Sequence, residues 1–436
     1  MKRGKVMEKG LKIAIVGSGS TYTPELIEGF INKKDSLPVK ELFLMDIEER
    51  KLNIVGGLCE RMIKAAGLSC KVVLTTDLAK ALDKADFVLA QIRVGKLPAR
   101  VLDERIPLKY DLIGQETNGI GGFFKGMRTI PAIMDIVHKM EELCPNAWLI
   151  NFSNPSGMIA EAVLNHSKIK MMGLCNVPIN MIDSLKKRLS IPDAEVEYVG
   201  LNHLSWITSI KYKGVDYLQK AIKEGINSEA MKNIPASGFT AELIKTVGAI
   251  PSSYLEYYYF KDQKLAKAKE VEKCRAEVCM EIEEQLLDIY SNSELHVKPE
   301  LLSKRGGSRY SEVAVNLVDS IYNDKNDIQV VNILNKGAIP FMNDNDAVEV
   351  CAVIGKDGAK PIKTHFQNEH IKEYMLMMKA YEKHAVTAAL TGDEDEAIRA
   401  LMINPLVFDY KKLYPCFQEL KEAHKAHLPQ FFKKEK

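Results

Sequence analysis

The feature that most constrains this fold is a strand–helix–strand pattern that begins at Leu11. LKIAIVG is a short apolar strand ending in glycine, PELIEGFINKK is helical with Pro24 in its first turn, and VKELFLMDI is a second strand that reaches Asp46. Further strands and helices alternate, with apolar runs at 70–74, 85–94, 147–153 and 170–176 and helical patterns at 48–66, 128–142 and 157–167. This alternation predicts an α/β fold with a doubly wound parallel sheet.

The pattern changes beyond about residue 195. EVEYVGLNHLSWITSIKYKGVDYL predicts longer, partly antiparallel strands, whereas residues 262–292 and 367–403 are mostly helical in pattern. Because neither a fixed-period repeat nor a low-complexity linker separates the two parts, we expect a packed boundary. The predicted divisions are a flexible leader over 1–10, a Rossmann-like domain over 11–195, and a mixed α+β domain over 196–436.

The loop after the first strand, GSGSTYTP, favours a dinucleotide site. Gly17 and Gly19 permit a tight turn and a close approach to a pyrophosphate, and Ser20 precedes a helix whose N-terminus offers amide donors. Tyr22 stands where the usual motif has its third glycine, so a plain strand-to-helix turn is the alternative. Asp46 suits the ribose hydroxyls and would repel a 2′-phosphate, which favours NAD over NADP, although it could also cap the next helix.

Three stretches after predicted strands look able to build a polar site: RVGKLPARVLDERIP, GQETNGIGGFFKGMR and NFSNPSG. They contain Arg100, Glu116 and Asn154, and ligands bind at the carboxyl ends of strands in open parallel sheets. Ordinary alternatives exist for each stretch. Arg100 could form a surface ion pair with Asp103 or Glu104, and Asn154 could form an Asx-turn before proline.

Cys175 in GLCNVP and His203 in GLNHLSW are candidate metal ligands, because a thiolate and an imidazole both bind divalent ions. Each residue alone has an ordinary explanation. A lone cysteine is commonly a small buried hydrophobe, and a lone histidine is commonly a hydrogen-bonded polar residue. Their separation does not match a compact zinc-finger spacing.

The charge balance excludes whole-surface recruitment of nucleic acid or membrane, since 60 Lys and Arg face 58 Asp and Glu, for a net charge of +2. No apolar run approaches the roughly 18 residues that a membrane span needs. The eight cysteines are scattered without a short-spaced framework, which favours a reducing cytoplasm.

Taken in order, the motifs of this chain resemble those of glycoside hydrolase family 4, the NAD- and metal-dependent phosphoglycosidases. The motifs that carry the resemblance are GSGSTYTPE, LDERIPLKY, GQETNG, GGFFKGMRTIP, CPNAWLINFSNPSGM, GLCNVP, GLNH, IPSSYLEYYY and RAEV, followed more loosely by KRGGSRYSE. A series of this length is far more specific than one dinucleotide loop.

The resemblance implies that Cys175 and His203 hold a divalent metal, usually manganese in this family. It places Tyr254 at the catalytic base, with Tyr257 as our second choice, and Glu116 at an acid that tunes the tyrosine. Three residues fall on sugar-phosphate contacts: Arg100, Asn154 and Arg275. Arginine suits that role because its guanidinium fork matches phosphate oxygens bidentately.

The mechanism that the resemblance implies begins with removal of hydride from C3 of the sugar by NAD, which acidifies the C2 proton. A base then takes that proton, elimination expels the aglycone, water adds, and the hydride returns to C3. We therefore expect a 6-phospho-β-glucosidase that acts on phosphorylated disaccharides such as cellobiose phosphate or on aryl glucosides.

One position separates branches of the family. Asn176 follows the metal cysteine, where the α-glycosidase members have an aspartate that protonates the leaving group, and an amide cannot act as that acid. We place Asn176 among the substrate-binding residues and leave the general acid open. The alternatives are a 6-phospho-α-glycosidase, an NAD-dependent 2-hydroxy-acid dehydrogenase, and a non-enzymatic sensor of NAD and sugar phosphate.

Two further expectations concern the rest of the chain. The family tends to form dimers or tetramers, so we expect a homodimer or homotetramer. HKAH at 424–427 is expected on the solvated face of a charged C-terminal helix.

Overall fold

The computed structural model describes residues 10–224, 238–306 and 309–432. The predicted leader over residues 1–10 lies outside the described residues, apart from Gly10.

The strands of the described chain form one sheet. They are β1 Leu11–Val16, β2 Val39–Met45, β3 Lys71–Thr75, β4 Phe87–Ala90, β5 Trp148–Asn151, β6 Lys170–Gly173, β7 Glu195–Leu201, β8 Leu204–Tyr212, β9 Val215–Asp216, β10 Ile250–Pro251, β11 Asp327–Leu334, β12 Ala347–Gly355 and β13 Gly358–Pro361. The spatial order is β10-β8-β7-β12-β11-β6-β5-β4-β1-β2-β3, and β9 and β13 pair with β8 and β12.

The six strands β3-β2-β1-β4-β5-β6 pair in parallel and have the strand order of a dinucleotide-binding sheet. Their apolar runs are buried because helices cover both faces of the sheet. In β1, Ile13 and Ala14 point to opposite faces of the pleat, and both are fully buried. The order reverses between β1 and β4, which is where ligands bind in such sheets. The predicted doubly wound, Rossmann-like sheet is confirmed.

Beyond β6 the sheet continues with antiparallel pairs. β11 and β12 lie between β6 and β7, although β7 follows β6 closely in sequence. The predicted antiparallel strands of the second part are therefore present, and they extend the sheet of the first part. The division at residues 195 and 196 remains a prediction.

The helices surround this sheet. They are α1 Thr23–Asn32, α2 Glu49–Ala65, α3 Leu78–Leu82, α4 Lys96–Arg105, α5 Gly119–Leu143, α6 Ser156–His166, α7 Val177–Leu189, α8 Leu218–Lys223, α9 Ala241–Val247, α10 Glu256–Tyr259, α11 Lys261–Glu270, α12 Arg275–Tyr290, α13 Tyr310–Tyr322, α14 Glu369–Thr391, α15 Glu394–Ile403 and α16 Tyr410–Ala423.

Helix α5 differs from the sequence prediction, because it begins at Gly119 rather than at residue 128. The glycines of GIGGFFKG indicated a loop, yet they lie inside the helix for a packing reason. A Cβ at Gly121 would lie 2.5 Å from the Asp103 carbonyl oxygen and 2.7 Å from that of Gln115. The missing side chains let α4 and the 115–117 loop approach the helix backbone closely.

The prediction of a solvated face for HKAH is wrong at His424 and right for residues 425–427, which are exposed. Helix α16 ends at Ala423, and His424 is buried, with its Nε2 2.8 Å from Asp103 Oδ1. Arg128 donates two hydrogen bonds to the same carboxylate, at 2.9 and 2.6 Å. The C-terminal segment is therefore fixed against α4 and α5.

Across residues 10–224, 238–306 and 309–432, no helix is both long enough and apolar enough to cross a membrane. All eight cysteines are free.

Candidate active site

A cavity of about 710 Å³ opens at the carboxyl ends of the parallel strands. Residues that follow β1, β2, β4 and β5 line it, as expected at the point where the strand order reverses. Of the predicted site residues, those in the cavity wall are Gly17, Gly19, Ser20, Asp46, Arg100, Glu116, Asn154, Asn176 and Tyr254.

The first end of the cavity is the β1–α1 loop, whose backbone is held by the carboxylate of Asp46. Asp46 Oδ2 accepts from the Gly19 amide at 2.8 Å, and Oδ1 accepts from the Glu48 amide at 2.9 Å. Glu48, not Asp46, is the N-cap of α2. Gly17 has a φ of +92°, and a Cβ there would lie 2.8 Å from the Gln91 carbonyl oxygen. Glycine is therefore required for the turn itself.

The second end of the cavity is a cluster of cations around Glu116. The carboxylate lies 2.5 Å from an Arg93 guanidinium nitrogen and 2.8 Å from Arg100, and it also pairs with Lys125. Arg100 and Lys125 are themselves buried. Three cations around one carboxylate leave an excess of positive charge in a place where water screens it poorly.

The pKa values of this cluster reflect burial and charge together. Burial alone would raise the pKa of Glu116, but Arg100, Arg93 and Lys125 outweigh it and hold the carboxyl well below its usual range. Burial, with help from Arg93, lowers the pKa of Lys125 to about 7. Glu116 is therefore a carboxylate, and the charge of Lys125 changes near neutral pH.

Arg100 does pair with Glu104, as the ordinary alternative supposed, through Nε at 2.7 Å. The pair is buried, however, and Glu104 also accepts from the Ala276 amide in the first turn of α12 at 2.8 Å. A buried arginine that bridges two carboxylates is costly to remove. The surface-pair interpretation of Arg100 does not hold.

Tyr254 lies between the cation cluster and the two candidate metal ligands. Its ring stacks on His203, with centroids 3.7 Å apart and planes at 12°. Burial raises its pKa well above the usual value, Cys175 and Glu116 add to this rise, and a side-chain hydrogen bond with Thr117 opposes it. In the absence of a nearby cation, the Tyr254 phenol is therefore neutral.

Tyr257, our second choice, is one turn away and does not belong to the cavity wall among the described residues. Burial raises its pKa as well. Geometry therefore favours Tyr254 as the base.

Asn202 links Cys175 to the segment of His203, because its side chain is hydrogen-bonded to Cys175 and it directly precedes His203. Neither Cys175 nor His203 is part of the cavity wall described above. Both residues are buried. Burial lowers the pKa of His203 to about 3, so the imidazole is neutral and can act as a ligand. Burial and Glu349 raise the pKa of the Cys175 thiol. A cation beside the sulfur would be needed to hold it as thiolate.

Within residues 10–224, 238–306 and 309–432, no three His, Cys, Asp or Glu side chains are grouped to hold a metal ion. A thiol and a neutral imidazole alone fit an ion that keeps most of its positions for water and substrate oxygens, the ligands that manganese prefers.

The remaining predicted residues divide into two groups. Asn154 and Asn176 line the cavity, and Asn154 is hydrogen-bonded to the Tyr310 phenol. Arg275 is outside the cavity wall, at the first position of α12, where its guanidinium donates to the carbonyls of Lys304 and Arg305 at 3.1 and 2.8 Å.

The cavity wall also contains residues that were not predicted to belong to the site, among them Lys125, Thr117, Tyr310 and His427. Lys125 had a signal, since it is the only charged residue in the apolar, glycine-rich run GIGGFFKG. Tyr310 and His427 enter the cavity from parts of the chain distant in sequence, and His427, as part of HKAH, was predicted on a solvated face.

Comparison with known proteins agrees with this geometry. Residues 12–191 match the model of family 4 glycosyl hydrolases, and residues 198–407 match that of their C-terminal domain. A probable 6-phospho-beta-glucosidase of Bacillus subtilis is 47% identical, over 98% of this chain and 99% of its own. The 6-phospho-beta-glucosidase of Escherichia coli is 42% identical, over 98% of each chain.

The fold gives the same result. The 6-phospho-beta glucosidase of Thermotoga maritima, solved with manganese, NAD+ and glucose-6-phosphate, has a TM-score of 0.87 and 32% identity, over 96% of this chain and 99% of its own. The family expected from the motifs is confirmed: this chain belongs to family 4 of the glycosyl hydrolases.

Proposed function

We propose that this enzyme hydrolyses 6-phospho-β-glucosides, such as cellobiose 6-phosphate and aryl 6-phospho-β-glucosides, to glucose 6-phosphate and the aglycone. The observation that carries the proposal is a single cavity that joins a dinucleotide loop at Gly19 and Asp46 to a cation cluster and a buried tyrosine. A sugar held there meets a redox cofactor, an anion site and a candidate base at the same time.

Two bound groups complete the site: NAD, held by Gly17, Gly19, Ser20 and Asp46, and a divalent ion, most simply Mn2+, held by Cys175 and His203. When bound, NAD accepts and returns a hydride at C3, and the ion polarises the adjoining sugar oxygens and places positive charge beside the Tyr254 phenol.

Tyr254 is the proposed base that takes the proton from C2. Its stacking on His203 fixes the ring, and its burial excludes water that would otherwise solvate the phenolate. Glu116 stands on the other side of the cavity as a permanent negative charge, which raises the proton affinity of the phenol. Loss of the C2 proton is followed by departure of the aglycone from C1 and addition of water.

Arg100 and Asn154 are the proposed contacts of the 6-phosphate within the cavity. The excess of cations over the carboxylates Glu116 and Glu104 supports this assignment, because it would attract a phosphate. Arg275 is proposed as a further contact. Its guanidinium would exchange one of its two backbone carbonyl partners for a phosphate oxygen.

The β-configuration is supported by Asn176, which lies in the cavity wall directly after Cys175 and cannot donate a proton as an acid. We propose that Asn176 binds the substrate and that water protonates the leaving oxygen. A 6-phospho-α-glycosidase remains the second candidate, and it is separated by assay of the α-anomer.

We also propose a cytoplasmic homodimer or homotetramer. A reduced Cys175 is needed for the site, which suits a reducing compartment. Exposed aromatic side chains on one C-terminal segment, Phe408, Tyr410 and Tyr414, support self-association. Light scattering on the purified enzyme measures the assembly directly.

The decisive experiment is release of an aryl aglycone from a 6-phospho-β-glucoside, with NAD and manganese omitted in turn. Activity that requires both, and is absent with the plain glucoside, is the expected result. Full activity after exhaustive removal of either group would overturn the proposal, and faster hydrolysis of the α-anomer would replace it by the second candidate.

A further inference from the structure

The loop before α5 contains a glutamine whose acceptor oxygen is unambiguous. Gln115 Oε1 accepts from the Thr117 amide at 2.6 Å and from the Asn118 amide at 2.8 Å. Because both partners are backbone donors, the atom facing them must be the amide oxygen rather than the nitrogen. The Gln115 side chain is buried, so water does not compete for this oxygen.

The Thr117 hydroxyl lies 3.0 Å from the same oxygen. An amide oxygen has no proton, so this contact is a hydrogen bond only when Thr117 is the donor. A hydroxyl has one proton, and Thr117 therefore donates that proton in its hydrogen bond to Gln115. Every other partner of the Thr117 oxygen must donate to it.

The other partners of Thr117 are the Tyr254 phenol, which can donate to the hydroxyl oxygen, and His203, whose Nδ1 lies 3.0 Å from that oxygen. Since the Thr117 proton is already engaged in the hydrogen bond to Gln115, His203 must donate to the Thr117 oxygen through Nδ1–H. A neutral imidazole carries one N–H, so Nε2 is left with its lone pair.

The local packing holds this arrangement in place. A Cβ at Gly121 would meet the Gln115 carbonyl at 2.7 Å, and Gly122 would collide with the backbone of Thr117 if it carried a side chain. His203 is held from the other side by the Tyr254 ring, and its backbone has a φ of +68° in the turn between β7 and β8. The loop and the imidazole therefore meet in one orientation.

We propose that Gln115 and Thr117 are positioning residues that hold His203 in the Nδ1–H tautomer, so that Nε2 faces the divalent ion. The inference rests on the proposed function, because it assigns His203 to the metal. Partners of this kind typically change metal affinity about 10- to 100-fold. They act on the ion through His203 and do not touch it.

The hydrogen-bonded series Gln115–Thr117–His203 is called the relay below. The first test needs no substitution in it. The enzyme with NAD bound and without metal is labelled with 15N at histidine, and the His203 signals are assigned by their loss in His203→Ala. Protonated Nδ1 and unprotonated Nε2 are expected. A proton on Nε2 would overturn the proposal.

The second test compares Thr117→Val, which removes the hydroxyl at nearly constant shape, with Thr117→Ser, which retains it. Titration with Mn2+, followed by the electron paramagnetic resonance of the free ion, should show affinity lowered roughly 10- to 100-fold in the valine variant and restored in the serine variant. NAD affinity should be unchanged in both. Equal Mn2+ affinity of Thr117→Val and wild type would refute the relay.

Thr364→Val is the matched control, because Thr364 is a buried threonine that donates to the Ala338 carbonyl at 3.0 Å, far along the chain from the site. It should bind Mn2+ as the wild type does. The failure of the relay is distinct from failure of the proposed function: the former leaves manganese-dependent hydrolysis by the wild type intact, whereas the latter abolishes it.

Discussion

The two ends of the cavity are built in different ways. The dinucleotide end is the β1–α1 loop. Gly17 and Gly19 follow β1, and Asp46 follows β2, the next strand in sequence. Contacts at this end join backbone amides to the Asp46 carboxylate. The sugar end is the cation cluster around Glu116 together with Tyr254. These two residues come from segments far apart in sequence, and their contacts join charged or aromatic side chains. The first end depends on local backbone shape, and the second depends on long-range packing of buried charge.

This difference predicts how the two ends respond to substitution. A change at the dinucleotide end should weaken cofactor binding and leave the chemistry intact once the cofactor is saturating. A change at the sugar end removes a proton acceptor or unbalances a buried charge, so its effects should be larger.

The largest effect is expected for Tyr254→Phe, which removes the proton acceptor and keeps the ring that stacks on His203. Turnover should fall about 10²- to 10⁴-fold, with Mn2+ affinity unchanged. In deuterated water, the wild type should place deuterium at C2 of the released glucose 6-phosphate. Tyr257→Phe is the control and should stay active. Product without deuterium at C2 would exclude the elimination route.

Arg100→Ala should come next, because it removes the bidentate partner of the proposed phosphate site and leaves Glu104 and Glu116 short of a cation. We expect kcat/KM for the phosphorylated substrate to fall by a factor equivalent to about 2–5 kcal/mol, with no gain of activity toward the plain glucoside. The melting temperature should fall as well. Arg105→Ala is the control, because Arg105 is a partly exposed arginine of the same helix that pairs with Glu277. An unchanged preference for the phosphorylated substrate would place the phosphate elsewhere.

A smaller effect is expected for Gly19→Ala at the dinucleotide end. Its Cβ would lie 2.9 Å from the Asp46 carboxylate, so the loop must shift and the Gly19–Asp46 hydrogen bond must lengthen. NAD affinity should fall by roughly tenfold, about 1.4 kcal/mol, with near-normal turnover at saturating NAD. Gly57→Ala in α2 is the control, because its nearest neighbour is a flexible arginine tip at 3.4 Å. A loss of turnover that saturating NAD does not restore would contradict the prediction that changes at the dinucleotide end act only on cofactor binding.

The smallest effect concerns pH and Lys125. Burial lowers its pKa to about 7, so Lys125 is charged below that pH and neutral above it. The cation cluster should therefore lose one positive charge as pH rises, and KM for the phosphorylated substrate should increase roughly threefold from about pH 6.5 to about pH 8.5. Lys125→Arg keeps the charge and should flatten this rise. An identical pH profile in both proteins would show that Lys125 does not act on the phosphate.

The same contrast explains what the sequence could predict. The turn at Gly17 and the carboxylate at Asp46 were readable because strand, turn and helix are local patterns. Tyr254 was found only through the resemblance of whole motifs to a family, and Arg100, already a candidate from its place after a strand, was given a phosphate role only by that resemblance. Periodicity does not report which charges meet in a core, and so the buried pairing of Arg100 with Glu116 was invisible to it.

The failures have one physical cause. The glycines of α5 favoured a loop on local propensity, but tertiary packing required a helix without side chains at Gly121 and Gly122. HKAH was assigned to a solvated face by its charged neighbours, but Asp103 and Arg128 offer His424 a buried partner. In both cases, a distant segment overrode the local signal.

The position of β11 and β12 between β6 and β7 has a consequence for synthesis. Cys175 follows β6 and His203 follows β7, but the strands that set the spacing of β6 and β7 come from residues 327–355. A nascent chain that has left the ribosome only as far as residue 224 therefore contains both candidate ligands and lacks the scaffold that brings them to their final places. On the proposed assignment of Cys175 and His203 to the metal, its capture is a late event in translation, and the Cys175 thiol is exposed to solvent before β11 and β12 join the sheet.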